Sequence, residues 1–250
     1  MNKREPLLSE EYFDESIAEE SSILKQRETA LVAYPPQVEN LDLLAFFVFN
    51  HRRGLLAAEY SRGYPLNQLR TDFPAIIDAW ERLRAIDVES AYPSAFKDNI
   101  DYYVQGLGLL SQAYLLGMDQ AVLLRLVACI GNEGQDLLFE RLVAQLLPEL
   151  VRKPAKKLLY PKAYQPVYDA LEASTDEQVV LMQQFLKEWY KRMRSASWYD
   201  AHKGRDGGGF VGYWCWEAAG IALAFGIDDS SFRELPYYPK DMADFARAAT

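Results

Sequence analysis

Apolar positions recur at helical spacing along most of this chain. Phe13, Ile17, Leu24 and Leu31 fall on one side of an otherwise acidic stretch from about Ser9 to Ala33, which predicts a first helix. From Leu41 the positions Leu44, Val48, His51 and Leu55 form a second stripe that ends near Ser61-Arg-Gly63. A third stripe runs from Pro65 through Leu69, Phe73, Ile76, Trp80 and Leu83, and Pro74 within it predicts a kink or a split. After Tyr92-Pro-Ser94 come Tyr103, Leu107, Leu110 and Tyr114, closed by Gly117. Asp119 then caps a helix with Leu123, Leu126, Val127 and Ile130 facing inward up to Gly131.

Asn132-Glu-Gly-Gln135 reads as a capping box opening the next helix, which stops by Pro148. Val151-Arg-Lys-Pro-Ala-Lys-Lys157 is a basic, proline-bearing connector. It suggests an N-terminal helical region over 1–148 and a C-terminal one over 149–250. Thr175-Asp-Glu-Gln178 reads as a second capping box, leading into Met182, Phe185, Leu186, Trp189 and Met193, the cleanest amphipathic pattern in the sequence. The run Gly212–Phe225 is apolar on nearly all sides, which predicts a helix buried in the centre of a fold. No Asn-Gly hairpin signal and no sustained alternation of apolar and polar residues occurs. The expectation is an all-α, compact multi-helix protein with a buried, Trp-rich C-terminal helix.

Composition narrows the function. The 250 residues are 50% hydrophobic, enough to bury a sizeable core, and the net charge is −9. Such a balance argues against nucleic-acid binding, which needs a basic footprint, and permits an acidic face that attracts a basic partner. Cys129 and Cys215 both lie in apolar surroundings, the pattern of inert core cysteines in a reducing compartment. The opening MNKREPLLSEEYFDES lacks the apolar run of a secretory leader, and no stretch approaches the length of a membrane span. The expected location is cytoplasmic, with no membrane partner and no cofactor.

Glu217 is the one ionisable residue in the buried run, so it must find a hydrogen-bonded or charged partner or hold a raised pKa. It serves either as a general acid or base or as half of a structural ion pair. His202 and Asp200, just upstream, would complete an acid–base cluster with it. The only other histidine, His51, lies on an apolar stripe, and no His/Cys spacing matches a zinc site. Gly204–Gly209 (GRDGGG) lacks the Lys-Ser/Thr ending of a phosphate loop and reads as a surface loop. Gly226 with Asp228 and Asp229 makes a glycine stop followed by a new cap, and Tyr237, Tyr238 and Pro239 make a rigid turn into a last short helix. Glu133, Asp136 and Glu140 recur at helical spacing and predict an acidic ridge on one exposed helix face. Glu10, Glu11, Asp14 and Glu15 predict a second acidic surface. Either cluster is a solvated face or a contact for the basic cleft of a nuclease.

The series Trp189-Tyr190, Trp198-Tyr199, His202-Lys203, Gly212-Tyr-Trp214-Cys-Trp216-Glu217-Ala-Ala219, Gly226-Ile-Asp-Asp-Ser-Ser231 and Tyr237-Tyr-Pro239 resembles the C-terminal signature of the PoNi immunity family. Tyr60-Ser61-Arg-Gly63, Leu109-Leu110-Ser111 and Gly131-Asn-Glu-Gly-Gln-Asp136 are similar to its N-terminal region, so the resemblance spans about Leu41 to Phe245. Cys215-Trp216 departs from the Ser-Phe type of pair expected there, and the larger indole calls for small neighbours such as Gly220 or Ala219. Members of this family neutralise PoNe polymorphic toxins, DNases of the PD-(D/E)XK type delivered by bacterial secretion systems. The resemblance implies an all-α, non-catalytic cytoplasmic protein that binds a cognate toxin. Its motif residues read as core and turn-makers, which leaves toxin specificity to surface positions outside the motif. The competing expectations are a small helical hydrolase or lyase using Glu217 and His202, and a helical adaptor without a toxin partner.

Overall fold

The computed structural model of the chain describes residues 2–33, 39–86 and 95–248. Among these residues the regular structure is helical, with no strand. Contacts divide the chain into two units: 1–93 with 200–212, and 94–199 with 213–250. The chain thus leaves the second unit after Tyr199, contributes a segment to the first, and re-enters the second at Tyr213. Tyr92-Pro-Ser94 lies outside the described residues.

The first unit contains α1 (Glu10–Ala33), α2 (Leu41–Arg62), α3 (Leu66–Asp72) and α4 (Pro74–Ile86). Helix α1 buries Phe13, Ile17, Leu24 and Leu31, the stripe expected of it. Proline has no amide hydrogen to continue a helix, so α3 and α4 separate at Phe73. Leu69, Phe73, Ile76, Trp80 and Leu83 nevertheless remain fully buried across the break. The buried stripe of α2 is rotated from the expected one: Leu41, Ala45, Val48, Phe49 and Leu56 face inward, while Leu44, His51 and Leu55 are only half-buried. His51 is therefore no core residue; its ring lies in contact with Glu20 of α1.

Glu59 on α2 is half-buried, and desolvation together with the charge of Asp72 pushes its carboxyl up to about 7. A carboxyl with a raised folded-state pKa contributes its full stability below the unfolded value of 4.5 and loses it as pH rises towards 7. Glu59→Gln is therefore expected to raise the melting temperature at about pH 8 and to leave it unchanged near pH 5. The gain at high pH should be on the order of 1 kcal/mol, because the partly exposed site screens much of the shift. Thermal melts followed by circular dichroism would show it, and an equal change at both pH values would contradict it.

The second unit holds α5 (Ile100–Leu115), α6 (Gln120–Ile130), α7 (Leu137–Leu146), α8 (Pro161–Glu172), α9 (Thr175–Arg192), α10 (Trp216–Ala224) and α11 (Lys240–Ala248). Helix α5 packs on α10, α6 and α11, while α8 pairs with α9. Asp119 caps α6 through the amide of Val122 at 2.9 Å, as its sequence predicts. Two other caps differ from expectation. The box at α9 is formed by Ser174 and Glu177, one residue before the expected pair. Helix α7 is capped by Asp136, because the left-handed backbone of Asn132 (φ 53°) and Gly134 (φ 72°) keeps that stretch out of the helix. Among the described residues no helix is long and apolar enough to cross a membrane.

Candidate functional site

Glu217 sits in the first turn of α10 with no exposed surface. Its Oε1 accepts hydrogen bonds from the Tyr164 hydroxyl at 2.8 Å and the Trp189 indole N–H at 2.9 Å. Its Oε2 has no hydrogen-bond partner among the described residues, and the Cys215 thiol stands beside it. No cation contacts the carboxyl in this network, which overturns the expected ion pair. Burial drives the carboxyl above its ordinary value, and the donors around it oppose that only in part. Glu217 is thus a buried acid held by neutral donors. A group sealed in this way touches no substrate, which removes the main support for catalysis by Glu217 with His202.

Helix α10 begins later than its apolar run. Gly212 has a φ of 105°, and the amide of Cys215 donates to the carbonyl of Tyr237 at 2.8 Å, so residues 212–215 approach the helix as an irregular segment. Trp214 therefore precedes the helix and is half-buried, whereas Trp216 lies in its first turn at 9% exposure. Gly108 of α5 packs against the Trp216 indole, where an added Cβ would stand 3.4 Å from the ring, an ordinary contact distance. Gly220 instead lets α10 meet α5 at Ser111, and a Cβ there would fall 2.5 Å from that of Ser111. Phe225, at the end of the run, is only half-buried.

The remaining C-terminal motif residues are also structural. Asp229 is buried, and its Oδ2 accepts from both the Tyr238 hydroxyl at 2.7 Å and the guanidinium of Arg247 of α11 at 2.8 Å. Asp228 is exposed and closes the turn through Ser230, whose hydrogen bonds hold its carboxyl below the ordinary value. Tyr237 adopts a φ of 73°, a costly conformation for an aromatic residue. It stacks on Tyr190 at 5.2 Å, and Pro239 leads directly into α11.

Tyr60-Ser-Arg-Gly63 ties the first unit together. The Ser61 hydroxyl donates to the Val211 carbonyl at 2.6 Å, and the Ser61 carbonyl accepts from the amides of Arg4 and Glu5 at 2.9 and 3.1 Å. Gly63 ends α2 with a φ of 104° and lies so close to Asn2 that a Cβ would come within 2.1 Å of its carbonyl oxygen. Arg62 bonds both carboxylate oxygens of Asp14, at 2.7 and 3.1 Å, and also reaches Glu10. This pairing holds the Asp14 carboxyl below its ordinary value. Of the four acidic residues expected on the outer face of α1, Glu10 and Asp14 are thus partly neutralised, while Glu11 and Glu15 are exposed and have no cationic partner among the described residues. His202 lies in a 3-10 turn, Ala201–Lys203, within the segment returned to this unit, and its ring is 5.8 Å from that of Phe210.

The expected ridge of Glu133, Asp136 and Glu140 does not form. Asp136 is fully buried and accepts from the Tyr103 hydroxyl (3.0 Å) and the amides of Phe139 (2.9 Å) and Leu159 (2.8 Å). Glu140 is paired with Arg152 by two hydrogen bonds of 2.8 and 2.9 Å. Glu133 precedes the helix and accepts from the amide of Lys153 at 2.8 Å. Glu133 and Glu140 hold the basic connector in place, and Asp136 fixes Leu159 just beyond it. Helical spacing alone concealed this, since the partners in and just beyond the connector lie 12 to 23 residues away. Arg152 in the basic connector was the available signal for Glu140, whereas the backbone amides that Glu133 and Asp136 accept from carry none.

The crystal structure of protein PA2201 from Pseudomonas aeruginosa superposes with a TM-score of 0.76 at 18% identity, over 99% of this chain and 93% of that one, which shows a shared fold. No curated protein matches the chain. The family model for the N-terminal part of PoNe immunity proteins matches residues 4–128, and that for their C-terminal part matches residues 134–242. The chain belongs to the PoNe immunity protein (PoNi) family.

Proposed function

We propose that this protein binds a cognate PoNe-type DNase toxin in the cytoplasm and blocks its active site or DNA cleft, without catalysing a reaction. The match of both parts of the chain to PoNe immunity proteins carries this reading. Two features of the molecule support it. The motif residues are consumed by packing, capping and turns, and the sealed Glu217 offers no reachable acid or base. The outer face of α1, in contrast, presents Glu11 and Glu15 free of cationic partners among the described residues, flanked by Glu10 and Asp14. Carboxylates so placed suit the encounter with a basic, DNA-binding cleft.

Co-expression with the toxin is the direct test: the toxin should kill cells and damage their DNA only when this protein is absent. At the surface level, Glu11→Lys with Glu15→Lys should slow association about tenfold at low salt and have little effect on dissociation, as expected for a steering face. Both positions are exposed, so helicity should persist. Association rates measured at low and high salt would decide, since the difference should shrink as salt screens it. A rate that is unchanged at low salt would remove α1 from the contact.

A further inference from the structure

The connector 151–157 is built as a rigid display. Arg152 turns inward, where its guanidinium bonds Glu140 and the Gly131 carbonyl, the latter at 3.0 Å. The amide of Lys153 is held by Glu133 at 2.8 Å, and the carbonyl of Lys157 receives the amide of Leu137 at 3.0 Å. Two residues further on, the amide of Leu159 is fixed by Asp136. The buried Asp136, the part-buried Glu140–Arg152 pair and the exposed Glu133 thus hold an irregular backbone that belongs to no helix.

Three lysines project from this held backbone. Lys153, Lys156 and Lys157 are exposed and have no carboxylate partner among the described residues. From Val151 to Lys162 the sequence contains five cationic residues and no acidic one, in a chain whose net charge is −9. Val151, at 93% exposure, is among the most exposed apolar residues of the molecule. It rims a groove of about 310 Å³ whose apolar wall is Val143, Ala144, Leu150 and Pro154. The main-chain amides of Val151, Arg152, Ala155 and Lys156 meet no partner among the described residues.

We propose that this strip docks an extended, carboxylate-rich segment of the toxin, with its acidic side chains on Lys153, Lys156 and Lys157 and an apolar residue in the groove beside Val151. Charge complementarity selects the occupant: unpaired ammonium groups on a fixed backbone favour an acidic segment and repel a basic one. The free amides allow main-chain hydrogen bonds to an extended chain, the mode in which backbone pairing supplies affinity and side chains supply selection. Holding the strip in advance lowers the ordering cost of binding. This inference rests on the reading of the protein as a toxin-binding immunity protein and assigns that reading a second surface, opposite in charge to the face of α1.

Calorimetric titration of the full chain with the catalytically silenced cognate toxin tests it. The variant K153E/K156E/K157E should bind at least about tenfold more weakly, and Val151→Asp about fivefold, with circular dichroism unchanged. If the reversed variant loses its helicity, K153Q/K156Q/K157Q carries the test, with a loss of about fivefold. K25E/K97E/K187E makes the same change in net charge at other exposed lysines and should bind within about twofold of the parent. Parent-like binding by the strip variants, or an equal loss in the charge control, overturns the inference and leaves the immunity reading intact. Failure of the parent itself to bind the toxin overturns the immunity reading, and the strip with it.

Discussion

Glu217→Ala is expected to cost about 4 kcal/mol of stability, whereas Glu217→Gln should cost about 1. The alanine variant strands the Tyr164 hydroxyl and the Trp189 indole N–H, both buried, and opens a void between α8, α9 and α10. Each unsatisfied donor costs about 1–3 kcal/mol, and the void adds to that. Glutamine keeps an oxygen where Oε1 stands, so both donors retain their acceptor. Denaturant unfolding of the two variants separates a neutral acid from a required anion. A glutamine variant as unstable as the alanine one would show that the negative charge itself is needed. The pH dependence has a definite sign. With a raised pKa, Glu217 contributes fully below the unfolded carboxyl value and loses that contribution as pH rises through the folded one. Glu217→Gln should therefore flatten the alkaline side of the stability profile.

The second large effect lies at Gly220. An added methyl group would fall 2.5 Å from Ser111 Cβ, 2.6 Å from its hydroxyl oxygen and 3.0 Å from its Cα. Because backbone as well as side chain is struck, rotation of Ser111 alone gives no relief. Gly220→Ala should destabilise by about 2–3 kcal/mol and Gly220→Val by more than that, so that little folded protein accumulates. Soluble yield and melting temperature are the readouts. Gly220→Ala with Ser111→Gly should recover a large part of the loss, since the clash is between these two positions. Failure of that pair to recover stability would place the problem elsewhere in α10.

Local physics made much of this fold readable from sequence. The stripe of α1, the break at Pro74 and the cap at Asp119 all depend on residues within a few positions of one another. The acidic ridge failed because turn geometry at Asn132 and Gly134 removed Glu133 from the helix, because Glu133 and Glu140 are taken up by the connector, and because Asp136 is buried against Tyr103 and the Leu159 amide. Glu217 was recognisable as a buried carboxyl, but its donors on α8 and α9 are 53 and 28 residues away and carry no charge to advertise them. Likewise, nothing in the spacing of Tyr60-Ser-Arg-Gly63 announces a hydrogen bond to Val211, 150 residues later. Signature residues could be found by resemblance, but their roles depend on three-dimensional partners.

That last bond has a consequence for how the protein is made. Phe13 is sealed by Phe210, with ring centroids 6.2 Å apart, and the Tyr12 hydroxyl bonds the Phe210 carbonyl at 2.9 Å. The N-terminal unit emerges first from the ribosome yet lacks this closing piece until residues 200–212 have followed. Its core must wait, incomplete, through the synthesis of α5 to α9. Nascent chains stalled before residue 200 should accordingly be protease-sensitive around α1 and become resistant once Val211 clears the exit tunnel. What is translated first is finished late.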